Sequence, residues 1–148
     1  MNPISSLIAA ASGAAGGVAA TGAMTAVLAV SAARGWLGTP PPERIVENLT
    51  PPMSDAATKA AATVSHVAYG AGAGALYGLL GGHRRRAAPI AVLTGVGYGL
   101  AVWALSYEGW VPAAGIMPPA HRDRPSRSAT MIVAHVVYGA VLGLWTRR

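Results

Sequence analysis

Charged positions divide this chain into four long apolar segments. Ile4–Ala33 runs 30 residues without a charge, Ala60–Gly82 runs 23, Ala87–Tyr107 runs 21 and Ser128–Thr146 runs 19. About 20 such residues cross a bilayer as a helix. The pattern predicts an all-α, polytopic membrane protein: one transmembrane domain, residues 1–148, with four transmembrane helices. The first segment is the least apolar, being rich in Ala, Gly, Ser and Thr. A cleaved signal peptide is its alternative, but Met1–Ser6 has no positive charge, which argues against cleavage.

Inside these segments small residues recur at every fourth position. HVAYGAGAGALYGLLGG places His66, Gly70, Gly74, Gly78 and Gly82 four apart, and HVVYGAVLGLWTRR does the same with His135, Gly139 and Gly143. Tyr69 and Tyr138 each stand three after their histidine. The first segment carries Gly13 with Gly17 and Gly16 with Ala20, and the third carries Gly95 with Gly99. On a helix such spacing makes one stripe. In lipid a stripe of small residues lets two backbones approach closely.

The larger pattern repeats as well. Gly-Trp occurs at 35–36 and 109–110, Pro-Pro at 51–52 and 118–119, and HVxYG at 66–70 and 135–139. Two tandem helix–loop–helix repeats are predicted, about 7–82 and 87–148. Each has an even number of spans, so both insert the same way up, about an axis along the membrane normal. With the ridges turned inward, His66 and His135 converge at equivalent depths. The exit Glu108-Gly109-Trp110 echoes Arg34-Gly35-Trp36. Thr39–Pro52 is a loop with five prolines, in which PERIVENL forms a short helix with Pro42 in its first turn. Ser54 or Asp55 caps the second span, and Ser126 or Ser128 the fourth.

Charge fixes the orientation. Only 11% of residues are charged, against about 25% in soluble proteins. The net charge of +6 is compatible with nucleic acid, but its placement is not: Arg84, Arg85, Arg86, Arg147 and Arg148 cluster at the ends of apolar segments. The positive-inside rule puts both termini and the 81–88 turn in the cytoplasm. The arginines also suit lipid headgroups. Cysteine is absent, which excludes disulfides, thiolate metal sites and cysteine nucleophiles. No phosphate-binding loop, dinucleotide fingerprint, HExxH or GxSxG occurs.

His66 and His135 are the candidate chemistry. A polar side chain within a span is costly unless paired. The simplest reading is a structural tie to each other, to Ser65, Thr63 or Thr130, or to a backbone carbonyl. The alternative is bis-histidine ligation of haem b, with Gly70 and Gly139 clearing space for the macrocycle. A proton or metal role is third. His121, Glu108, Met53, Met117 and Met131 are donors suited to copper, but no spacing is diagnostic. Tyr69, Tyr77, Tyr98, Tyr107 and Tyr138 read as belt and interhelix residues.

The twin HVxYG ends, the GW exits and the proline loops resemble small bacterial inner-membrane proteins of unknown function. The resemblance covers most of the chain. It implies a four-helix inner-membrane fold and transfers no catalytic residue. The expected role is non-enzymatic: an accessory or structural subunit in contact with lipid and with other membrane proteins, not with nucleic acid. A haem-binding redox protein is the first alternative and a small transporter or channel component the second.

Overall fold

The computed structural model describes residues 2–82 and 85–147; Met1, His83, Arg84 and Arg148 lie outside the described residues. All regular structure among those residues is helical. Helix α1 spans Pro3–Ala33, α2 Pro41–Leu49, α3 Asp55–Tyr77, α4 Ala88–Trp103 and α5 Pro125–Thr146. Three stretches are long and apolar enough to cross a membrane: Pro3–Ala33, Ala88–Ala113 and Pro125–Thr146. The pattern predicted four. Helix α3 falls short because Gly70, Gly72 and Gly74, with Thr63, Ser65 and His66, dilute the apolar residues of its uncharged stretch 60–77. Small side chains carry little apolar surface.

Local chemistry explains the boundaries. Asn2 Oδ1 accepts from the Ser5 N–H at 2.8 Å, with Pro3 opening α1. Gly35, at φ 72°, ends α1, and the Trp36 N–H donates to Ser31 O at 3.0 Å. This pairing satisfies carbonyls that a helix end leaves open. The α2 helix forms where PERIVENL predicted it, starting one residue earlier at Pro41. Ser54 caps α3 by accepting from the Ala57 N–H at 3.3 Å.

The chain breaks at Gly109, where the Glu108-Gly109-Trp110 exit was expected: its φ −104° and ψ −107° are not helical, and two helical stretches meet there at a kink. The second makes a last turn at Val111–Ala113 and ends at Gly115. Gly115 has φ 72° and lets the Ile116 N–H reach Val111 O at 3.2 Å, whereas Gly109 has φ −104°. The stop that matches Gly35 is therefore Gly115. Ser126 and Ser128, however, do not cap α5. Their hydroxyls donate to Trp36 O at 3.0 Å and Ala120 O at 2.9 Å, fastening loops instead.

The helices pack as two glycine-faced pairs. In α1–α3, a Cβ added at Gly13 would overlap the Gly74 carbonyl, one at Gly17 the Gly70 carbonyl, and one at Gly78 the Ala9 carbonyl. In α4–α5, Gly95 faces the Gly139 carbonyl, Gly99 the His135 carbonyl and Gly143 the Ala91 carbonyl. Each ridge thus meets its own pair partner rather than a common axis. Helices α1 and α5 join the pairs, with Leu142 fully buried and Trp145 against Gly16.

Helices α3 and α4 hardly touch through their backbones. Tyrosines bridge them. The Tyr98 hydroxyl donates to Ala73 O at 2.6 Å, the Tyr77 and Tyr98 rings lie 4.9 Å apart, and the Tyr77 hydroxyl sits 3.2 Å from Thr94 Oγ1. Below them, Arg86 donates to Thr94 Oγ1 at 3.0 Å and Gly81 O at 3.4 Å. Arg85 and Arg147 are exposed.

Candidate functional site

The gap between α3 and α4 becomes a cavity of about 180 Å³. Thr21, Met24 and Leu28 of α1 form part of its back wall, with Met131, His135 and Tyr138 of α5. Pro41, Pro42 and Ile45 of α2 also line it, as do Tyr107, Val111 and Met117. Tyr69 on α3 and Trp110 beyond α4 line it while 48% and 39% exposed, so the cavity reaches the surface between those helices.

His66 and His135 both line this cavity. The histidines are not equivalent, however. Gly17 meets the Gly70 carbonyl in one pair, and Gly99 meets the His135 carbonyl in the other. His135 therefore stands on its ridge at the place Gly70 takes on α3, and His66 lies one turn beyond. His135 is buried and its Nδ1 lies 2.8 Å from Met131 O. A carbonyl only accepts, so Nδ1 carries the hydrogen and the neutral ring leaves Nε2 as a bare acceptor. His66 is half-buried and makes no hydrogen bond among the described residues. The neighbours proposed for it bond elsewhere: Thr63 to Lys59 O at 2.9 Å and Ser65 to Ala62 O at 3.1 Å.

The haem reading does not fit these residues. The space that Gly70 was to clear is taken by Thr21 Oγ1, and that at Gly139 by the Gly95 carbonyl. The cavity is also smaller than the roughly 300–1,000 Å³ of sites holding larger ligands. The soft donors divide. Met117 and Met131 line the cavity, Met53 is exposed, and His121 pairs with Glu108 at 3.3 Å on the surface. No group of three or more His, Asp or Glu suited to a metal occurs among the described residues.

Tyr138 ties the site together. Its hydroxyl donates to Gly70 O at 2.7 Å across the α3–α5 gap. Tyr138→Phe should cost about 1 kcal/mol, the scale of interhelical hydrogen bonds in membranes. Thermal unfolding in detergent, against Tyr69→Phe on the exposed rim, tests this; equal losses would mean the bond contributes nothing.

One buried cluster was not foreseen from the sequence. Asp123 and Arg127 pair at 3.1 Å with side chains only 4% and 5% exposed. The Tyr107 hydroxyl donates to Asp123 at 2.5 Å, the Arg124 N–H at 2.6 Å, and Arg127 Nε donates to Leu37 O at 2.8 Å. This joins the segment that follows α4, the start of α5 and the loop after α1. Burial pushes the Asp123 carboxyl up, but the hydrogen bonds from Tyr107, Arg124 and Arg127 and the guanidinium charge outweigh it and hold it below its ordinary value. The one sequence hint was the Asp123–Arg127 spacing of four, which a surface pair would share.

No protein-family model matches the chain, and neither a curated protein nor a solved structure does. The residues themselves define the class: a multi-helix protein with three helices able to cross a membrane.

Proposed function

We propose that the chain is a four-span protein of the bacterial inner membrane, acting without catalysis as an accessory or structural subunit beside larger membrane proteins. The observation that carries the membrane reading is the exterior. Leu93 and Leu105 are 71% and 72% exposed, and Ile4, Leu7, Ile8 and Val64 are exposed with them. Large apolar side chains exposed in such number are rare on an isolated soluble domain and suit contact with lipid. Helix α3 is the fourth span, its weak apolarity offset by glycine contacts along α1. The two glycine-faced pairs then correspond to tandem repeats. Gly22, Gly72 and Gly97 face open space, which favours close approach by a neighbouring subunit.

Both termini and the 81–88 turn are placed in the cytoplasm by Arg85, Arg86 and Arg147, together with Arg84 and Arg148. Glu47→Cys and Arg122→Cys should react with an impermeant thiol reagent from outside intact spheroplasts, and Arg85→Cys only after lysis. The reverse pattern would overturn the orientation. Glu47 and Arg122 reacting from opposite faces would remove one span. The subunit reading predicts a larger assembly in mild detergent, and a chain that migrates alone from native membranes would sink it.

A further inference from the structure

We propose that the cavity between α3 and α4 binds a neutral, lipid-soluble aryl alcohol, a phenol or the head of a quinol, whose hydroxyl donates to His135 Nε2. The proposal goes beyond the subunit reading and takes from it only that the opening faces lipid.

Size comes first. A cavity near 150 Å³ accommodates benzene, so about 180 Å³ holds one substituted ring. A single metal ion would occupy a small part of it. Tyr69, Tyr107, Trp110, Met117 and Met131 present aromatic faces and thioethers, which suit a flat apolar guest.

Polarity then selects the functional group. Met131 O fixes His135 with Nδ1 protonated, leaving Nε2 as an acceptor. Trp103 Nε1 is the one partnerless side-chain polar atom sealed from all access among the described residues. His135 Nε2 makes no hydrogen bond among the described residues and is not one of the sealed atoms, and His135 lines the cavity. A guest must therefore bring a donor. Among the described residues no carboxylate, lysine or arginine lines the cavity, so a charged guest would meet no counter-charge from them. His66, which makes no hydrogen bond among the described residues, lines the cavity as a second polar side chain. The opening at Tyr69 and Trp110 lets a substituent trail outward.

The test uses the full chain in detergent with three matched probes: para-propylphenol, para-propylanisole and propylbenzene. Calorimetry should show saturable phenol binding, with the anisole and the hydrocarbon at least about tenfold weaker, because a buried acceptor goes unanswered. In isotope-labelled protein, one histidine Nε2 resonance should shift with the phenol and not with the anisole. His135→Phe, verified as folded by circular dichroism, should lose the discrimination. The probe comparison on the unaltered protein stands even where that variant fails to fold. Equal affinities for all three probes, no saturable binding, or an unshifted histidine would overturn the proposal. A short-tailed quinol binding at least tenfold more tightly than the phenol would assign the site to a tailed membrane lipid; equal affinity would assign it to free phenols.

Discussion

Arg127→Met should cost the fold about 3–5 kcal/mol, because it leaves the Asp123 carboxylate buried without its partner. It also strips the Leu37 carbonyl of its donor and loosens the loop after α1 from α5, where Ser126 still donates to Trp36 O. Arg127→Lys should recover only part of the loss. Lysine restores charge, but not the geometry in which Nη1 meets both Asp123 oxygens while Nε serves Leu37. Arg122→Ala, exposed and outside the cluster, should be near neutral. Denaturant unfolding in detergent measures all three, and a loss for Arg127→Met no larger than for Arg122→Ala would show that the pair does not hold the loops.

The same cluster predicts an acid limit. The folded state holds Asp123 below its ordinary value near 3.8. A depressed carboxyl contributes stability that is fully present above the unfolded value. That contribution fades as pH falls through the folded value, so the loss begins below about pH 4. Asp123→Asn should flatten the stability profile in that range and lower the plateau above it. An unchanged profile would assign acid sensitivity to other carboxylates.

Gly74→Leu should break the contact between α1 and α3. A Cβ there would overlap Gly13 O and lie 2.8 Å from Gly17 Cα. Both are backbone atoms, so no rotamer change relieves the clash and α1 must move. Overpacking typically costs about 1–3 kcal/mol and more where nothing yields. Gly72→Leu is the internal control, two residues away with nothing within 4 Å. Replacing a mid-helix glycine there gains up to about 1 kcal/mol in helix propensity. Gly72→Leu should therefore be neutral or stabilising while Gly74→Leu loses the folded dimension in gel filtration. Equal behaviour would mean that α1 and α3 do not pack through glycine.

What could be read from the sequence follows from the range of the physics involved. Helices, the Pro41–Leu49 segment and the Ser54 cap are local, set by proline, capping and apolar runs within a few residues. The four-residue glycine spacing was visible, but not its direction. It pointed to a common axis, whereas Gly70 faces Thr21 and Gly139 faces Gly95. That choice depends on which helices pair, which no single segment encodes. The histidines were legible as polar groups within helices, and one of the ties expected of them, to a backbone carbonyl, is what His135 uses. Their difference in register was hidden because HVxYG is identical in both places while the ridges above it are shifted by a turn. Nothing in the sequence around Arg127 marks it as buried, because its partner carbonyl, Leu37, lies 90 residues away.

The glycine–carbonyl contacts have a consequence for how such a chain can diverge. Where two side chains touch, one can shrink as the other grows, and the pair leaves a correlated trace in related sequences. At Gly13 against Gly74, or Gly95 against Gly139, neither position has a side chain to surrender. A gain on one helix finds no compensating loss on the other. Contact inference from correlated substitution would therefore miss the two tightest interfaces of this bundle and register only the looser surfaces around them.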